Sequence, residues 1–547
     1  QGLFDVIEGK GKIFIDGELV ERGQENDYVI DYNTAEVVFT AKRLITKDKR
    51  IVVEFQYSDK NYARSLFHFG DEYEKRKLKM RLNVYSEQDS KNKPLQQDVD
   101  EEQKLLLASV GDSLNLAVAP NIDSIAFNTT EVLYKKQDST IGFQTFQNIF
   151  VYHTDTSAHF RLGFSFVGAS NGNYVQINSS ANGKVFKWVM PDTVTGVLKG
   201  SYEPVIILIT PKKKQMVTLG TDYTFSKNSK ISVEGAMTNN DINTFSRFDK
   251  ANDIGYGVKA GAENSIPIGK DSLGWKIIVD ANYEFLQKTF SPIERFRSVE
   301  FERDWNLIKR TISADQHIAS TKVGVQKEKV FIATHQFAYF IEGSDYSAAR
   351  NIFSTAFTKS GWLVAGHASL LDASTALNTS QYLRHKAELS RKKKSFQVGV
   401  KEEQEINRFR EIKTDSLQTN SFSFLQWQAF ADYGDTSLNK FGISYKQRYD
   451  YAPKNNSFLK STYGEDIEGK ISLMKNPSSG FKGNITFRRL LIYDTLLSAK
   501  PPDNSLIGRG EYNFSIKKGL LTSGTFYEIG SGLEPKKEFS FLQVAPG

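Results

Sequence analysis

Long stretches of the chain alternate apolar and polar residues with a period of two. In "SLGWKIIVDANYEFLQ", residues 272–287, the apolar positions are Trp275, Ile277, Val279, Ala281, Tyr283 and Phe285. The positions between them are Lys276, Ile278, Asp280, Asn282 and Glu284. This period predicts a β-strand, because successive side chains point to opposite faces. Eleven residues span about 36 Å, the length that a tilted strand needs to cross a hydrocarbon layer.

The same pattern recurs from about residue 140 to the end, in roughly twenty segments. Clear examples are 217–225, 231–238, 253–264, 329–340, 424–451 and 466–490. Short turns alternate with longer polar loops, which is typical of outer-membrane barrels. Aromatic residues near the strand ends are expected to form the girdles of such a barrel: Tyr223, Phe225, Tyr339, Phe340, Tyr449 and Tyr451.

The sequence therefore predicts an all-β chain with a large antiparallel transmembrane β-barrel, complete or partial, over 140–547. A small N-terminal β-sandwich is expected over 1–70, and a linking region with one short helix over 71–139. The apolar faces would meet lipid and the polar faces a watery lumen. The candidate lumen-facing residues are Asp222, Glu234, Lys259, Glu263, Lys276, Asp280, Glu284, Glu468 and Lys470. The alternative is a non-membrane protein whose apolar faces form a core.

Local signals outside the long strands are also specific. Asp16-Gly17 between two apolar runs predicts a tight hairpin turn. In "DEEQKLLLASVGDS", Asp100 and Gln103 form a capping box and Gly111 takes the C′ position, so a short helix is expected there.

Composition narrows the classes further. The chain has 547 residues, 39% of them hydrophobic, and no run of about 20 apolar residues, which excludes a transmembrane helix. It contains 39 Phe and 24 Tyr, an excess that favours strands and aromatic girdles. The absence of cysteine excludes disulfides and thiolate chemistry. The net charge of +7 suits a surface that meets anionic lipid headgroups, whereas clustered charge for a nucleic-acid partner is absent.

No catalytic motif accompanies this pattern. The sequence contains no nucleophile elbow, phosphate-binding loop, zinc-protease helix or dinucleotide fingerprint. The seven histidines, residues 68, 153, 159, 317, 335, 367 and 385, lack the spacing of metal ligands. We expect no enzyme activity, cofactor or metal; a hydrolytic pair of lumen carboxylates is the less favoured alternative. "RKKKS" at 391–395 is interpreted as a solvated turn, or as a basic rim that meets lipid phosphates.

Three stretches resemble a known class of proteins: "IDGELVERGQENDYVIDYNTAEVVFTAKRLI", "EEQKLLLASVGDS" and "RFRSVEFERDWNL" at 295–307. Together they are similar to large surface and outer-membrane β-proteins of the Bacteroidota, and the layout is similar to the translocon barrel of the type IX secretion system. The resemblance implies the bacterial outer membrane, transport of proteins or membrane assembly, and protein partners. It carries over no site residue. A surface adhesin or scaffold is the main alternative.

The last stretch, "KKEFSFLQVAPG", alternates briefly and then reaches Pro546-Gly547, which favours a turn that leads onward. An open sheet edge in lipid leaves unpaired backbone groups. We therefore expect further strands, from a longer polypeptide or a separate chain, to pair with the edge near residues 538–544.

Overall fold

A computed structural model gives the fold of this chain. It describes residues 5–6, 11–24, 26–31, 36–40, 42, 45, 49–55, 57–58, 61–95, 97–142, 144–179, 181–192, 195–269, 274–307, 314–434, 439–476, 479–493, 503–516 and 521–531. The described chain is almost entirely β, as the alternation predicted. Among the described residues, no helix is both long and apolar enough to cross a bilayer.

The N-terminal residues form three small sheets. The strands are β1 (Asp5–Val6), β2 (Lys12–Ile15), β3 (Glu18–Leu19), β4 (Tyr28–Asp31), β5 (Glu36–Phe39), β6 (Ile51–Glu54) and β7 (Tyr57–Ser58). They pair as β1-β7, β3-β2-β6 and β4-β5. Buried Ile13, Ile15, Val20 and Tyr28 form a core between the β3-β2-β6 and β4-β5 sheets. The predicted hairpin at Asp16-Gly17 is confirmed: both residues have positive φ, 52° and 85°, as a two-residue hairpin turn requires.

Two long strands follow, β8 (Tyr62–Lys75) and β9 (Leu78–Pro94), and both belong to the large sheet. The predicted division began that sheet near residue 140 and treated 71–139 as a linking region. The difference arises because β9 pairs with a strand that begins only at Lys213. The chain thus starts the large sheet early and inserts a separate module between two neighbouring strands.

The inserted module begins with helix α1 (Glu101–Ser109), followed by a 3-10 turn (Leu114–Leu116). The predicted capping box of Asp100 and Gln103 is present, and Gly111 has a φ of 61°, as expected of a C′ residue. Buried Leu107 packs with Ala117, Ala119 and Leu208. The short helix is therefore present where the sequence predicted it.

The rest of the insert contains β10 (Val118–Pro120), β11 (Ile122–Ser124), β12 (Leu133–Ile141), β13 (Gln144–Tyr152), β14 (Phe160–Leu162), β15 (Ser165–Phe166), β16 (Tyr174–Ile177), β17 (Val185–Trp188), β18 (Tyr202–Glu203) and β19 (Val205–Ile207). Two four-stranded sheets share a core of Tyr134, Phe150, Tyr174 and Phe186. The hydroxyls of Tyr134 and Tyr174 accept hydrogen bonds from the N–H groups of Phe186 and Phe150, at 2.9 and 3.0 Å. Burial raises the pKa of each phenol to about 12.

The remaining strands complete the large sheet: β20 (Lys213–Ser226), β21 (Ser229–Asp241), β22 (Ile254–Ile268), β23 (Trp275–Leu286), β24 (Gln316–Lys327), β25 (Phe331–Glu342), β26 (Tyr346–Lys359), β27 (Trp362–Thr375), β28 (Asn378–Lys393), β29 (Phe396–Glu411), β30 (Phe422–Tyr433), β31 (Asn439–Lys454), β32 (Ser457–Asn476), β33 (Ser479–Ile492), β34 (Asp503–Ile516) and β35 (Leu521–Ser531). A 3-10 turn (Lys250–Asn252) precedes β22, and a short helix, α2 (Phe301–Asp304), lies between β23 and β24.

These strands and the β8-β9 hairpin form one antiparallel sheet of 18 strands, with chain neighbours paired throughout β20 to β35. The outermost strands, β8 and β35, are exposed over nearly their whole length. Most turns at one end are tight; in "RKKKS", for example, Lys394 and Ser395 form the turn between β28 and β29, whereas Arg391 to Lys393 are the last residues of β28. The segment 538–544, for which pairing with further strands was predicted, lies outside the described residues.

Candidate functional site on the polar face of the large sheet

Cross-strand register places all nine candidate lumen-facing residues on one side of the large sheet, called here the polar face. Glu234 lies opposite Lys259, which lies opposite Glu284, and Glu263 lies opposite Asp280. Register followed from strand to strand brings Glu468 and Lys470 onto the same side. The nine residues therefore share one side of the sheet, and the prediction that this side lines a lumen stays a prediction.

Several of these residues form ion pairs along the polar face. Asp222 pairs with Arg81 at 2.6 Å, and Asp280 with Lys322 at 2.5 Å. Lys470 pairs with Glu468 on its own strand at 3.0 Å. Carboxylates alternate with cations in this arrangement, so it is an ion-paired wall, and the predicted residues do not converge on one reactive point.

The functional feature that the sequence analysis did not identify is a segment that lies on this wall. Residues 287–307, called here the covering segment, connect β23 to β24 and contain α2. Trp305 and Leu307 are buried in a cluster with polar-face residues of β25 to β28, among them Phe340, Tyr346, Leu371 and Tyr382. Phe340, predicted in an aromatic girdle, is fully buried in this cluster. Its strand position was right, but its side chain belongs to the polar face.

Charged residues of the covering segment hold it on the wall. Arg303 donates to the carboxylate of Glu405, which also accepts from the hydroxyl of Tyr382 at 2.7 Å. Asp304 accepts from Arg384 and pairs with Arg350 at 3.1 Å. Burial disfavours the charge on Arg303, but Tyr382 and Glu405 outweigh that cost and raise its pKa.

Hydrogen bonds of two further residues extend this anchor. The side-chain amide of Asn306 donates to Ser380 Oγ and to Asn407 Oδ1, both at 3.1 Å. At the other end of the segment, Arg297 donates to Glu284, one of the predicted residues, at 2.7 Å. Polar contacts at several positions therefore fix the covering segment. Removing only one partner of such a contact is costly, because the other partner is left without its hydrogen bond or counter-charge.

The N-terminal sheets also contact this assembly. Arg50 pairs with Glu300 of the covering segment, and Arg295 pairs with Glu54 at 2.7 Å. Lys42 pairs with Glu511 of β34 at 3.1 Å, and Arg509 donates to the carbonyl oxygen of Gln24 at 2.6 Å. Glu511 and Arg509 lie on the polar face by register. Both the N-terminal residues and the covering segment thus occupy the side of the sheet that the sequence analysis assigned to a lumen.

The opposite side, called here the outer face, is apolar and exposed. Its exposed residues include Leu219, Val233, Val258, Val279, Val323, Phe353, Val364, Val398, Ile443, Ile467 and Ile485. They alternate along each strand with the polar-face residues, as predicted for 272–287. An exposed apolar surface of this extent is far larger than the patches found on ordinary monomers.

The described part of the chain shows no metal centre. Within it, no group of three or more metal-ligating side chains is placed to hold an ion. Histidines on the strands contact polar side chains: His317 contacts Tyr283 at 2.8 Å, His335 contacts Asn351 at 3.1 Å, and His367 contacts Ser354 at 2.9 Å. His385 contacts both Gln404 and Glu402, each at 3.0 Å.

Comparison with protein families finds one match. A family model described as a domain of unknown function (DUF8818) matches residues 3–59, the part of the chain that contains the three N-terminal sheets. No curated protein matches the sequence. The match therefore concerns the region that contacts the covering segment and β34, and leaves the large sheet to be interpreted from its own geometry.

Proposed function

We propose that the chain is a membrane-spanning β-barrel of the bacterial outer membrane that serves in protein transport or in outer-membrane assembly. The observation that carries the proposal is the inverted polarity of the large sheet. Charged residues such as Glu405, at 2% exposure, and Asp222, at 6%, are buried on one face, whereas Val279 and Val323 on the other face are exposed at 39% and 53%. This polarity suits a lipid exterior and a polar interior.

Closure into a barrel and the packing of the N-terminal sheets as a sandwich are parts of this proposal. An 18-strand barrel would have a lumen wide enough for an aqueous channel. In this arrangement the N-terminal residues and the covering segment lie inside the lumen and obstruct it. Closure is achieved by β8 and β35 directly or by further strands placed between them, because an unpaired edge in lipid is costly.

Transport through such a lumen requires the covering segment to leave the wall. The covering segment is held by ion pairs and hydrogen bonds. Such contacts can break and form again, which suits a plug that leaves the wall and returns. The proposal includes no catalytic role, because the polar-face carboxylates are engaged with cations and do not converge on one point.

A disulfide lock tests the proposal, since the chain contains no cysteine. Asn306→Cys with Ser380→Cys replaces a 3.1 Å hydrogen bond between the covering segment and β28. The full chain is reconstituted into lipid bilayers and its conductance is recorded. We expect low conductance with brief openings, loss of these openings on oxidation, and their return on addition of dithiothreitol.

The single variants Asn306→Cys and Ser380→Cys are the matched controls and should ignore oxidation. If the full chain remains in solution without detergent and does not enter bilayers, the membrane proposal fails in favour of a surface scaffold or adhesin. If it enters bilayers but the oxidised lock leaves the openings unchanged, the role of the covering segment as a plug fails.

A further inference from the structure

A concave groove of about 470 Å³ lies on the outer face across β25 to β29. Register resolves its floor into two neighbouring rows of side chains. One row consists of Ser347, Ser374, Thr379 and Arg410. The other consists of Tyr339, Ala349, Asp372, Gln381 and Arg408. Small side chains make the depression, and charged residues form part of its lining.

The groove lies at the boundary of the apolar surface. The next row toward the tight turns contains Leu370, Leu383 and Ile406, which are aligned across three strands. The polar groove therefore begins one row beyond aliphatic side chains of the same face. At a membrane boundary this is the level of lipid headgroups, while the aliphatic row lies at the level of the acyl chains.

The charges in the groove have two signs. The side chain of Arg408 forms no hydrogen bond or ion pair within the described residues, and its guanidinium lies 5.9 Å from the ring centroid of Phe458. Arg410, in contrast, is engaged with Asp415 and Asn456. Asp372 accepts one hydrogen bond from Gln381, at 3.1 Å. The groove thus offers a free cation and, two strands away at about 10 Å, a carboxylate with remaining acceptor capacity.

We propose that this groove binds the headgroup of a phosphoethanolamine lipid. Arg408 binds the phosphate through its fork of N–H donors, as guanidinium groups do. Asp372 accepts hydrogen bonds from the ammonium group, and the hydroxyls of Ser347 and Thr379 offer donors to the remaining oxygens. The acyl chains extend over Leu370, Leu383 and Ile406. The lipid as source of the headgroup rests on the proposed membrane exposure of the outer face.

The test measures binding of short-chain lipids to the full chain in a neutral detergent by native mass spectrometry. The probes are dihexanoyl phosphatidylethanolamine, phosphatidylglycerol and phosphatidylcholine, with free O-phosphoethanolamine as a soluble comparison. We expect phosphatidylethanolamine to bind most tightly. Arg408→Gln should weaken it about tenfold or more, because a charge-assisted hydrogen bond is lost. Asp372→Asn should remove the preference for phosphatidylethanolamine over phosphatidylglycerol while phosphate binding remains.

Arg489→Gln is the matched control. Arg489 also lies on the outer face, but it pairs with Glu465 at 3.8 Å and lies outside the groove. Equal binding by wild type and Arg408→Gln, or an equal loss in Arg489→Gln, would overturn the site. Equal affinity for free O-phosphoethanolamine would overturn the lipid as its ligand. Failure of the chain to enter bilayers would instead count against the proposed function. The two failures are distinguishable because the detergent assay measures headgroup binding without requiring insertion into a bilayer.

Discussion

The two faces of strands β25 to β29 differ sharply in what is buried. On the polar face, Phe340, Tyr382 and Glu405 are buried beneath the covering segment, at 0%, 1% and 2% exposure. On the outer face of the same strands, Phe337, Phe353 and Val400 are exposed at 41%, 53% and 49%. In a water-surrounded sheet the apolar face would be the covered one. The comparison teaches that burial here follows the covering segment rather than hydrophobicity.

The largest expected effect comes from Glu405→Gln, which changes a buried residue of the polar face beneath the covering segment. The substitution removes the carboxylate that Arg303 and Tyr382 contact and that lies 3.4 Å from Arg384, so each of these half-buried arginines loses one of its two carboxylate partners while Arg303 keeps Glu300 and Arg384 keeps Asp304. Breaking such a pair typically costs about 3–5 kcal/mol. We expect faster hydrogen exchange in residues 296–307 and more frequent channel openings in bilayers.

The control for Glu405→Gln is Glu403→Gln on the same strand and face. Glu403 pairs with Lys386 at 2.8 Å, and the two side chains are 25% and 58% exposed. An exposed pair contributes about 0–1 kcal/mol. Equal exchange rates in the two variants would contradict the assignment of Glu405 as an anchor of the covering segment.

The next prediction concerns the outer face, where a charged side chain tests whether the apolar residues meet lipid. Val279→Arg places a guanidinium in the middle of β23, on the face that we propose meets lipid. The expected cost is about 2–4 kcal/mol in a bilayer, and close to zero if the face meets water. Asn239→Arg is the control, because Asn239 lies on the same face beyond the apolar positions of its strand. Unfolding by guanidinium chloride in lipid vesicles measures both, and equal stabilities would show that the outer face is not in the hydrocarbon layer.

A smaller effect is expected where the N-terminal hairpin contacts the covering segment. Gly17 has a φ of 85°, and a Cβ atom built there would lie 2.9 Å from Cγ of Glu300. Gly17→Ala should therefore weaken this contact by about 1–2 kcal/mol, through backbone strain and displacement of Glu300. Hydrogen exchange over residues 11–20 provides the measurement. Gly530→Ala is the control, since no atom lies within 4 Å of its added Cβ and its φ is not positive; similar exchange in both would contradict the contact.

Sequence periodicity predicted the strands and their faces because both depend on local alternation. The nine candidate residues share one face, and the capping box and the Asp16-Gly17 turn appear where expected, since neighbours within a few residues determine them. The covering segment could not be derived in this way. Trp305 contacts residues of β25 to β28, and nothing in "RFRSVEFERDWNL" specifies those partners. Its one local signal is a long connection rich in charged and aromatic residues where tight turns are usual.

The same limit explains why the structure differs from the predicted domain boundaries and from the predicted girdle position of Phe340. Alternation places Phe340 at a strand end, but burial depends on a segment that approaches from another part of the chain. Similarly, β8 and β9 show the period of two, yet only pairing of β9 with β20 reveals that the sheet begins there. Faces are therefore predictable from sequence in this protein, whereas the occupants of a face are not.

The smallest expected effect concerns the inserted module. The module does not belong to the large sheet, and its core serves as a reference for a core that water surrounds. Burial raises the pKa of Glu203, although its carboxylate accepts hydrogen bonds from the backbone and side chain of Asn173, both at 2.7 Å. Because the folded pKa is the higher one, the unfolded chain loses its proton first as the pH rises. The charge therefore destabilises the module above the ordinary carboxyl pKa and has no effect well below it.

Glu203→Gln keeps an oxygen acceptor for Asn173 and removes the buried charge. We expect the variant to be more stable at neutral pH by less than about 1 kcal/mol, with the difference vanishing as the pH falls below the ordinary carboxyl range. Hydrogen exchange over residues 174–188 of the full chain reports on this core without unfolding the large sheet. Glu131→Gln, on a more exposed carboxylate of the same module, is the control. A stabilisation that persists at low pH, or an equal gain in the control, would show that the buried charge is not its cause. The module could then no longer serve as a reference for a water-surrounded core.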